Sequence, residues 1–301
     1  MPELAGTWFV LPTPFVEDGS VDLPSQRTVV GAAVRWGVDG LTAMGVTSEA
    51  AALTPAERDA CLREIFDAAA GAVPIVVGCS GASSAVVGEL IREASALGAA
   101  AAMVSAPPLF RNTDLLPDFF RTVAAAGLPL VIQDEPAATG VVMPVGVLLR
   151  CVESSGARTI KLEDPPTPPK IGRLLAVDPA LHVFGGLGGV SALAELQRGA
   201  SGTMTGFAFP EILAAVRRSV ESGDMKAAGL LFDRYLPLIQ FEAQPTIGLA
   251  IRKELLRRRG AIRAGTTRGS LPLIDEQTGR ELDDVLDRVG IEPRPDRLEV
   301  F

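Results

Sequence analysis

The strongest constraint on this chain is a repeat. Eight short β-type runs, each followed by a helix-type segment, occupy residues 7–11, 40–44, 74–79, 101–105, 129–133, 159–163, 182–185 and 202–206. The runs are mostly apolar and do not alternate, as expected of strands whose sheet is covered by helices. Punctuation between them is helical. Thr54-Pro55-Ala56-Glu57 is a capping box with proline at the first helical position. Ser83 or Ser84 can cap the third helix, which stops at Gly98, and Asp114 can cap the fourth, which stops at Gly127. Pro144 opens the fifth, ending near Gly156, and Pro210 the eighth, ending at Gly223. Eight such units predict an α/β fold, a closed (β/α)8 TIM barrel. An open doubly wound sheet is the alternative, but Leu11-Pro12-Thr13-Pro14-Phe15 stands where its dinucleotide fingerprint belongs. Gly185-Gly186-Leu187-Gly188-Gly189 follows the seventh run without the spacing of a nucleotide loop.

After Gly223 only helical patterning remains. Residues 224–242 and 245–259 carry apolar side chains at helical spacing, among them Leu230, Leu231, Tyr235, Leu238 and Ile239. Residues 260–275 read as a loop and 276–289 as a last helix. The expected division is a barrel domain, 1–223, and a C-terminal helical region, 224–301, packed on it. In this reading Tyr235, the only tyrosine, is a packing residue.

Composition removes several functions. A net charge of -8 argues against a nucleic-acid surface. Arg257-Arg258-Arg259 reads as a solvated helix end facing the negative pole of the helix dipole. Neither a signal peptide nor a membrane-length apolar run is apparent, so a cytoplasmic protein without membrane contact is expected. Cys61, Cys79 and Cys151 are dispersed, as reduced thiols are, and Cys79 reads as a small buried hydrophobe rather than a nucleophile. With His182 the only histidine, no metal site and no cofactor are expected.

What remains is Lys161. In the run Thr159-Ile160-Lys161-Leu162-Glu163-Asp164, strand alternation points Ile160 and Leu162 one way, Lys161 and Glu163 the other. Their Cα atoms would lie about 7 Å apart. The other three lysines, Lys170, Lys226 and Lys253, fall in helical segments where lysine is ordinary. A barrel's active site sits at the C-terminal ends of its strands. Those ends offer Thr13, Gly45-Val46-Thr47-Ser48-Glu49, Ser80, Pro107-Pro108-Leu109-Phe110, Gln133-Asp134-Glu135-Pro136, Lys161 with Glu163, the glycine loop 185–189, and Thr205-Gly206. A lysine in a low-dielectric barrel can attack a ketone as the neutral amine and use the resulting imine as an electron sink. On these residues alone, that role and a structural Lys161–Glu163 ion pair stand level.

These strand ends resemble the dihydrodipicolinate synthase / N-acetylneuraminate lyase family of class I aldolases and lyases, over nearly the whole chain. Gly45-Val46-Thr47-Ser48-Glu49 is similar to the family's Gly-Thr-Thr-Gly-Glu loop, which in relatives binds the 2-oxo-acid carboxylate. Residues 130–140 lie where the family has Tyr-Asn-x-Pro, with Pro136, Thr139 and Gly140 retained, and Lys161 falls at the Schiff-base lysine. The resemblance implies a barrel with a C-terminal helical region, assembled as a homotetramer or homodimer. It also implies catalysis by Lys161 and Glu163, with a small 2-oxo acid held by Thr47, Ser48, Gln133, Thr139, Gly186 and Thr205.

There are departures. The synthase's relay of a threonine and two tyrosines corresponds here to Val46, Phe110 and Gln133, and its arginine for the second substrate to Ala138. The segments Ile132-Gln133-Asp134-Glu135-Pro136-Ala137-Ala138-Thr139-Gly140, Lys161-Leu162-Glu163-Asp164, and Gly185-Gly186-Leu187-Gly188-Gly189 with Met204-Thr205-Gly206-Phe207-Ala208 are more similar to the 2-keto-3-deoxy-L-arabonate dehydratase branch. There, the glutamate two residues after the lysine serves as acid and base. The expected function is a Schiff-base dehydratase of a 2-keto-3-deoxy sugar acid. The alternatives are a pyruvate-forming retro-aldolase, a dihydrodipicolinate synthase and a non-catalytic ligand-binding barrel.

Overall fold

The computed structural model describes residues 4–108, 110–268 and 273–300. Among them, eight parallel strands close into a barrel in sequence order. They are β1 (Gly6–Val10), β2 (Gly40–Ala43), β3 (Ile75–Gly78), β4 (Ala101–Ser105), β5 (Leu130–Asp134), β6 (Thr159–Leu162), β7 (His182–Gly185) and β8 (Gly202–Thr205). All eight expected runs are strands, and β8 returns to pair with β1. The prolines at 74 and 129 stay outside their strands, having no N–H for the ladder.

Helices wrap the barrel: α1 (Leu23–Trp36), α2 (Pro55–Ala69), α3 (Ser84–Ala96), α4 (Leu116–Ala124), the single turn α5 (Pro136–Thr139), α6 (Val145–Ser155), α7 (Thr167–Val177), α8 (Ala192–Gln197) and α9 (Pro210–Glu221). The capping box at Thr54 and Glu57 forms, and Ser83 caps α3. The cap expected at Asp114 moves. Asn112 accepts from the Asp114 backbone N–H and starts a 3-10 turn ahead of α4, while the Asp114 carboxylate pairs with Arg150 at 3.0 Å. Three further helices follow: α10 (Met225–Glu242), α11 (Gly248–Arg258) and α12 (Glu276–Val289). Leu109, in the expected rim turn 107–110, and residues 269–272, in the expected loop 260–275, lie outside the described residues.

Alternation sorts the strand residues into two cores. Trp8, Val10, Val76, Met103, Val131, Phe184 and Met204 fill the barrel, while Phe9, Leu41, Val77, Ile160 and Leu162 face the helices. Trp8 meets Phe184 edge-on at 6.2 Å between ring centroids. Gly40 makes this possible, because a Cβ there would sit 2.6 Å from the indole. Filling the lower barrel with rings closes it as a pore.

The C-terminal helices are tied to the barrel by a charge that the sequence reading placed in solvent. Arg257 is partly exposed and pairs with Glu254 at 2.7 Å, as a helix end should. Arg259 is not solvated. It is 1% exposed, pairs with buried Glu211 at 2.7 Å, and lies 3.8 Å over the Trp36 ring and 4.6 Å over that of Phe209. A guanidinium suits this position because its flat, weakly hydrated face stacks on rings while its edge serves a carboxylate. No helix among the described residues is long and apolar enough to cross a membrane.

Candidate active site

β5, β6 and β7 lie in register so that Gln133, Lys161 and Phe184 are neighbours. Lys161 points into the barrel near its mouth, and Glu163 follows one residue past the strand, its N–H donating to the Asp134 carbonyl at 2.8 Å. The two side chains meet as alternation requires, Nζ lying 2.9 Å from Oε2. Both residues are buried, at 5% and 7% exposure. Gln133 Nε2 donates to Glu163 Oε2 at 2.8 Å, and the Leu187 N–H donates to Oε1 at 3.2 Å. Three donors therefore converge on Glu163. Gly186 leaves room for it, since a Cβ there would fall 2.3 Å from Oε1.

Above this pair opens a cavity of about 630 Å³ lined by Lys161, Glu163, Glu135, Thr47, Thr205 and Arg252. A slightly larger groove, about 690 Å³, runs between α9 and α10, but its charged lining is Arg218 and Arg234 alone. Without a paired base or nucleophile it offers no comparable chemistry, so the barrel mouth is the candidate site.

The other expected site residues divide. Thr47 lines the cavity, and its Oγ1 is buried without a hydrogen-bond partner among the described residues. Thr205 also lines it, at the end of β8, its hydroxyl accepting from the Phe207 N–H at 3.4 Å. Gln133 lies behind the two carboxyls, also donating to Glu135 Oε2 at 2.8 Å. Ser48 and Thr139 correct the expectation. Ser48 Oγ donates to the Leu11 carbonyl at 2.5 Å, and the Thr13 hydroxyl donates to the Ser48 carbonyl at 2.6 Å. Thr139 Oγ1 donates to the Glu135 carbonyl at 3.0 Å and accepts from the Val141 N–H at 3.1 Å. Both hydroxyls bond backbone, and neither residue lines the cavity.

The departures from the synthase pattern are visible. Val46 lines the cavity and is exposed, with no hydroxyl to offer. Phe110 packs on Phe119 at 6.5 Å between centroids, and Ala138 is exposed. Cys79 is fully buried, and burial pushes its thiol up to about 12, which removes the thiolate a nucleophile needs. His182 begins β7, at the opposite end of the barrel. Among the described residues no group of three or more acidic, histidine or cysteine side chains could hold a metal ion.

Four charged residues have places in the structure that the sequence reading did not assign. Lys170 and Lys253 are not ordinary helix-surface lysines. Lys170 is buried between Asp134 and Asp164, and Lys253 is fully buried against Glu49. Arg252 reaches the cavity from α11, its Nε donating to Glu242 Oε1 at 2.6 Å. Glu135, one residue past β5, faces Lys161 and Glu163 across the same space. Burial first, then the Glu163 charge, push the Glu135 carboxyl up to about 7, with Lys161 pulling the other way. Its place just past a strand was a usable signal, whereas the Arg252 contact joins a late helix to the barrel mouth and has no local mark.

The dihydrodipicolinate synthetase family profile matches residues 3–289. L-2-keto-3-deoxyarabonate dehydratase of Azospirillum brasilense is 31% identical over 290 residues, 93% of each chain. A 4-hydroxy-tetrahydrodipicolinate synthase of Acidobacterium capsulatum is 30% identical over 244 residues, 79% of this chain and 80% of that one. Among solved structures, dihydrodipicolinate synthase from Rhodopseudomonas palustris superposes with a TM-score of 0.90 at 33% identity, covering 96% of this chain and 98% of that one.

Proposed function

The chain belongs to the dihydrodipicolinate synthetase family and is a lyase, and from that premise we propose that it dehydrates a 2-keto-3-deoxy sugar acid through a Schiff base on Lys161. The observation that carries this reading is the Glu163 carboxylate 2.9 Å from Lys161 Nζ, on the floor of an open cavity. A synthase working through a hydroxyl relay finds Val46, Phe110 and Gln133 in its place, none able to pass a proton as a hydroxyl does.

In the resting site Lys161 and Glu163 form an ion pair. As the substrate ketone arrives, Glu163 takes the ammonium proton, freeing the amine lone pair to attack C2. Glu163 returns that proton to the carbinolamine hydroxyl, which leaves as water, and the restored carboxylate stabilises the cationic imine. Glu163 then removes a C3 proton to give the enamine, and the enamine electrons expel the C4 hydroxyl. In this reading the Thr47 hydroxyl, without a partner among the described residues, receives the substrate carboxylate. Gln133 keeps Glu163 aimed. Thr205 can orient a substrate hydroxyl.

Trapping tests the imine. Borohydride in the presence of saturating pyruvate should add the reduced pyruvyl mass to the Lys161 peptide, and an unmodified peptide sinks the reading. Products separate the outcomes. A dioxo acid from 2-keto-3-deoxyarabonate supports the dehydratase, whereas pyruvate plus an aldehyde assigns the same imine to a retro-aldolase. Assembly as a homodimer or homotetramer is part of the proposal, checked by sedimentation.

A further inference from the structure

Two carboxyls, not one, meet at this imine. Gln133 Nε2 donates to Glu163 Oε2 and to Glu135 Oε2, at 2.8 Å each. An amide nitrogen carries two hydrogens, so this side chain gives one to each carboxyl and fixes their separation. Their surroundings differ. Glu163 accepts from Lys161, Gln133 and the Leu187 N–H. Glu135, among the described residues, accepts at its side chain from Gln133 alone, is half-buried, and lines the cavity. One site thus contains a carboxyl met by three donors and another met by one, unlike surroundings of the kind that let one group serve as base and the other as acid.

We propose that Glu135 is the general acid of the dehydration, giving its proton to the C4 hydroxyl as that group leaves, while Glu163 is the base at C3. The assignment rests on the dehydratase reading. Electrons move from the C3–H bond into C2=C3, and the enamine then forms C3=C4 as the C4–O bond breaks. The oxygen takes the Glu135 proton and departs as water. In the tautomerisation that follows, Glu163 returns its proton to C3 and Glu135 removes one from C5, so both carboxyls are reset. The C4=C5 enol left behind ketonises, C4 taking a proton from water as the C5 hydroxyl gives one up, and hydrolysis of the imine frees Lys161 and the dioxo acid.

The charged groups acting on Glu135 are Glu163, which raises its pKa, and Lys161, which lowers it; burial is the larger influence, and the carboxyl ends up at about 7. Near neutral pH it therefore carries a proton much of the time. Because the acid form is the active one, turnover should hold below about pH 7 and fall as pH rises above it.

Glu135→Gln separates the two half-reactions. Pyruvate has a C3 but no C4 leaving group, so its deuterium exchange in D2O reports Lys161 and Glu163 alone. In E135Q, borohydride trapping and pyruvate exchange should match wild type. Turnover of 2-keto-3-deoxyarabonate should fall about 10²- to 10⁴-fold, as expected for loss of a general acid, and the loss of rate above pH 7 should vanish. Glu135→Asp should recover part of the rate. Wild-type turnover in E135Q overturns the assignment, and so does an exchange rate that falls as far as turnover, since Glu135 would then act only by positioning Glu163. If wild-type enzyme makes no dioxo acid, the dehydratase reading itself fails and takes the assignment with it. Dehydration by wild type and E135Q alike removes Glu135 only.

Discussion

Lys161 and Lys253 look alike on every simple measure. Each is buried, each pairs with a buried glutamate, and each pair sits at the C-terminal end of the barrel. They differ in what lies in front of the nitrogen. Lys161 faces a cavity of about 630 Å³. Lys253 is sealed: its ammonium lies 4.5 Å from the centre of the Phe15 ring and donates to the Thr266 carbonyl at 2.9 Å as well as to Glu49. Burial pushes the Lys253 pKa down against the pull of Glu49. A lowered pKa makes an amine nucleophilic, but an amine that no ketone can reach has only a structural use.

Methionine at each position gives the largest contrast. Lys161→Met should abolish trapping and reduce turnover on the order of 10⁶-fold, the low end of what enzymes add to uncatalysed reactions. Lys253→Met should leave a buried Glu49 carboxylate unpaired and cost about 3–5 kcal/mol of stability, measured as a lower denaturant midpoint. Molecules that remain folded should still be trapped by pyruvate and borohydride. A folded K253M that no longer traps pyruvate would break the comparison.

The carboxylates extend it. Glu163→Gln keeps the shape of the site, so imine trapping should persist while turnover falls about 10²- to 10⁴-fold. Glu49→Gln should instead act on stability, because Glu49 ties the loop after β2 to Lys253 and to the Arg268 N–H. Turnover retained in E163Q would leave the dehydration without its base.

The sequence showed one half of this comparison and hid the other. Alternation in one strand was enough to pair Lys161 with Glu163, because i and i+2 share a face whatever surrounds them. The eight-unit repeat likewise foretold the barrel, since each unit carries its own caps and stops. Lys253 is 204 residues from Glu49 along the chain, and a helical lysine with its partner so distant looks like any surface lysine. Arg259 was misread for the same reason: its partners Glu211, Trp36 and Phe209 come from three separate segments. Chemistry that stays within one strand was legible, and charges buried by tertiary packing were not.

The smallest effects are expected where the same contrast is compressed into two adjacent residues. Thr47 and Ser48 share a loop and a hydroxyl, yet Thr47 Oγ1 has no partner among the described residues and belongs to a residue lining the cavity, while Ser48 Oγ is bonded to the Leu11 carbonyl. Removing a hydroxyl that only a ligand satisfies weakens binding, and removing one that a buried carbonyl needs weakens the fold. Thr47→Val should therefore raise KM about fivefold to tenfold with kcat little changed, the loss of about 1 kcal/mol of uniform binding. Ser48→Ala should leave KM where it was and lower stability by about 1 kcal/mol. If the two phenotypes were exchanged, Ser48 would be the ligand contact, and the rule drawn from the lysines, that access and not residue type separates function from structure, would fail at the loop where it is easiest to check.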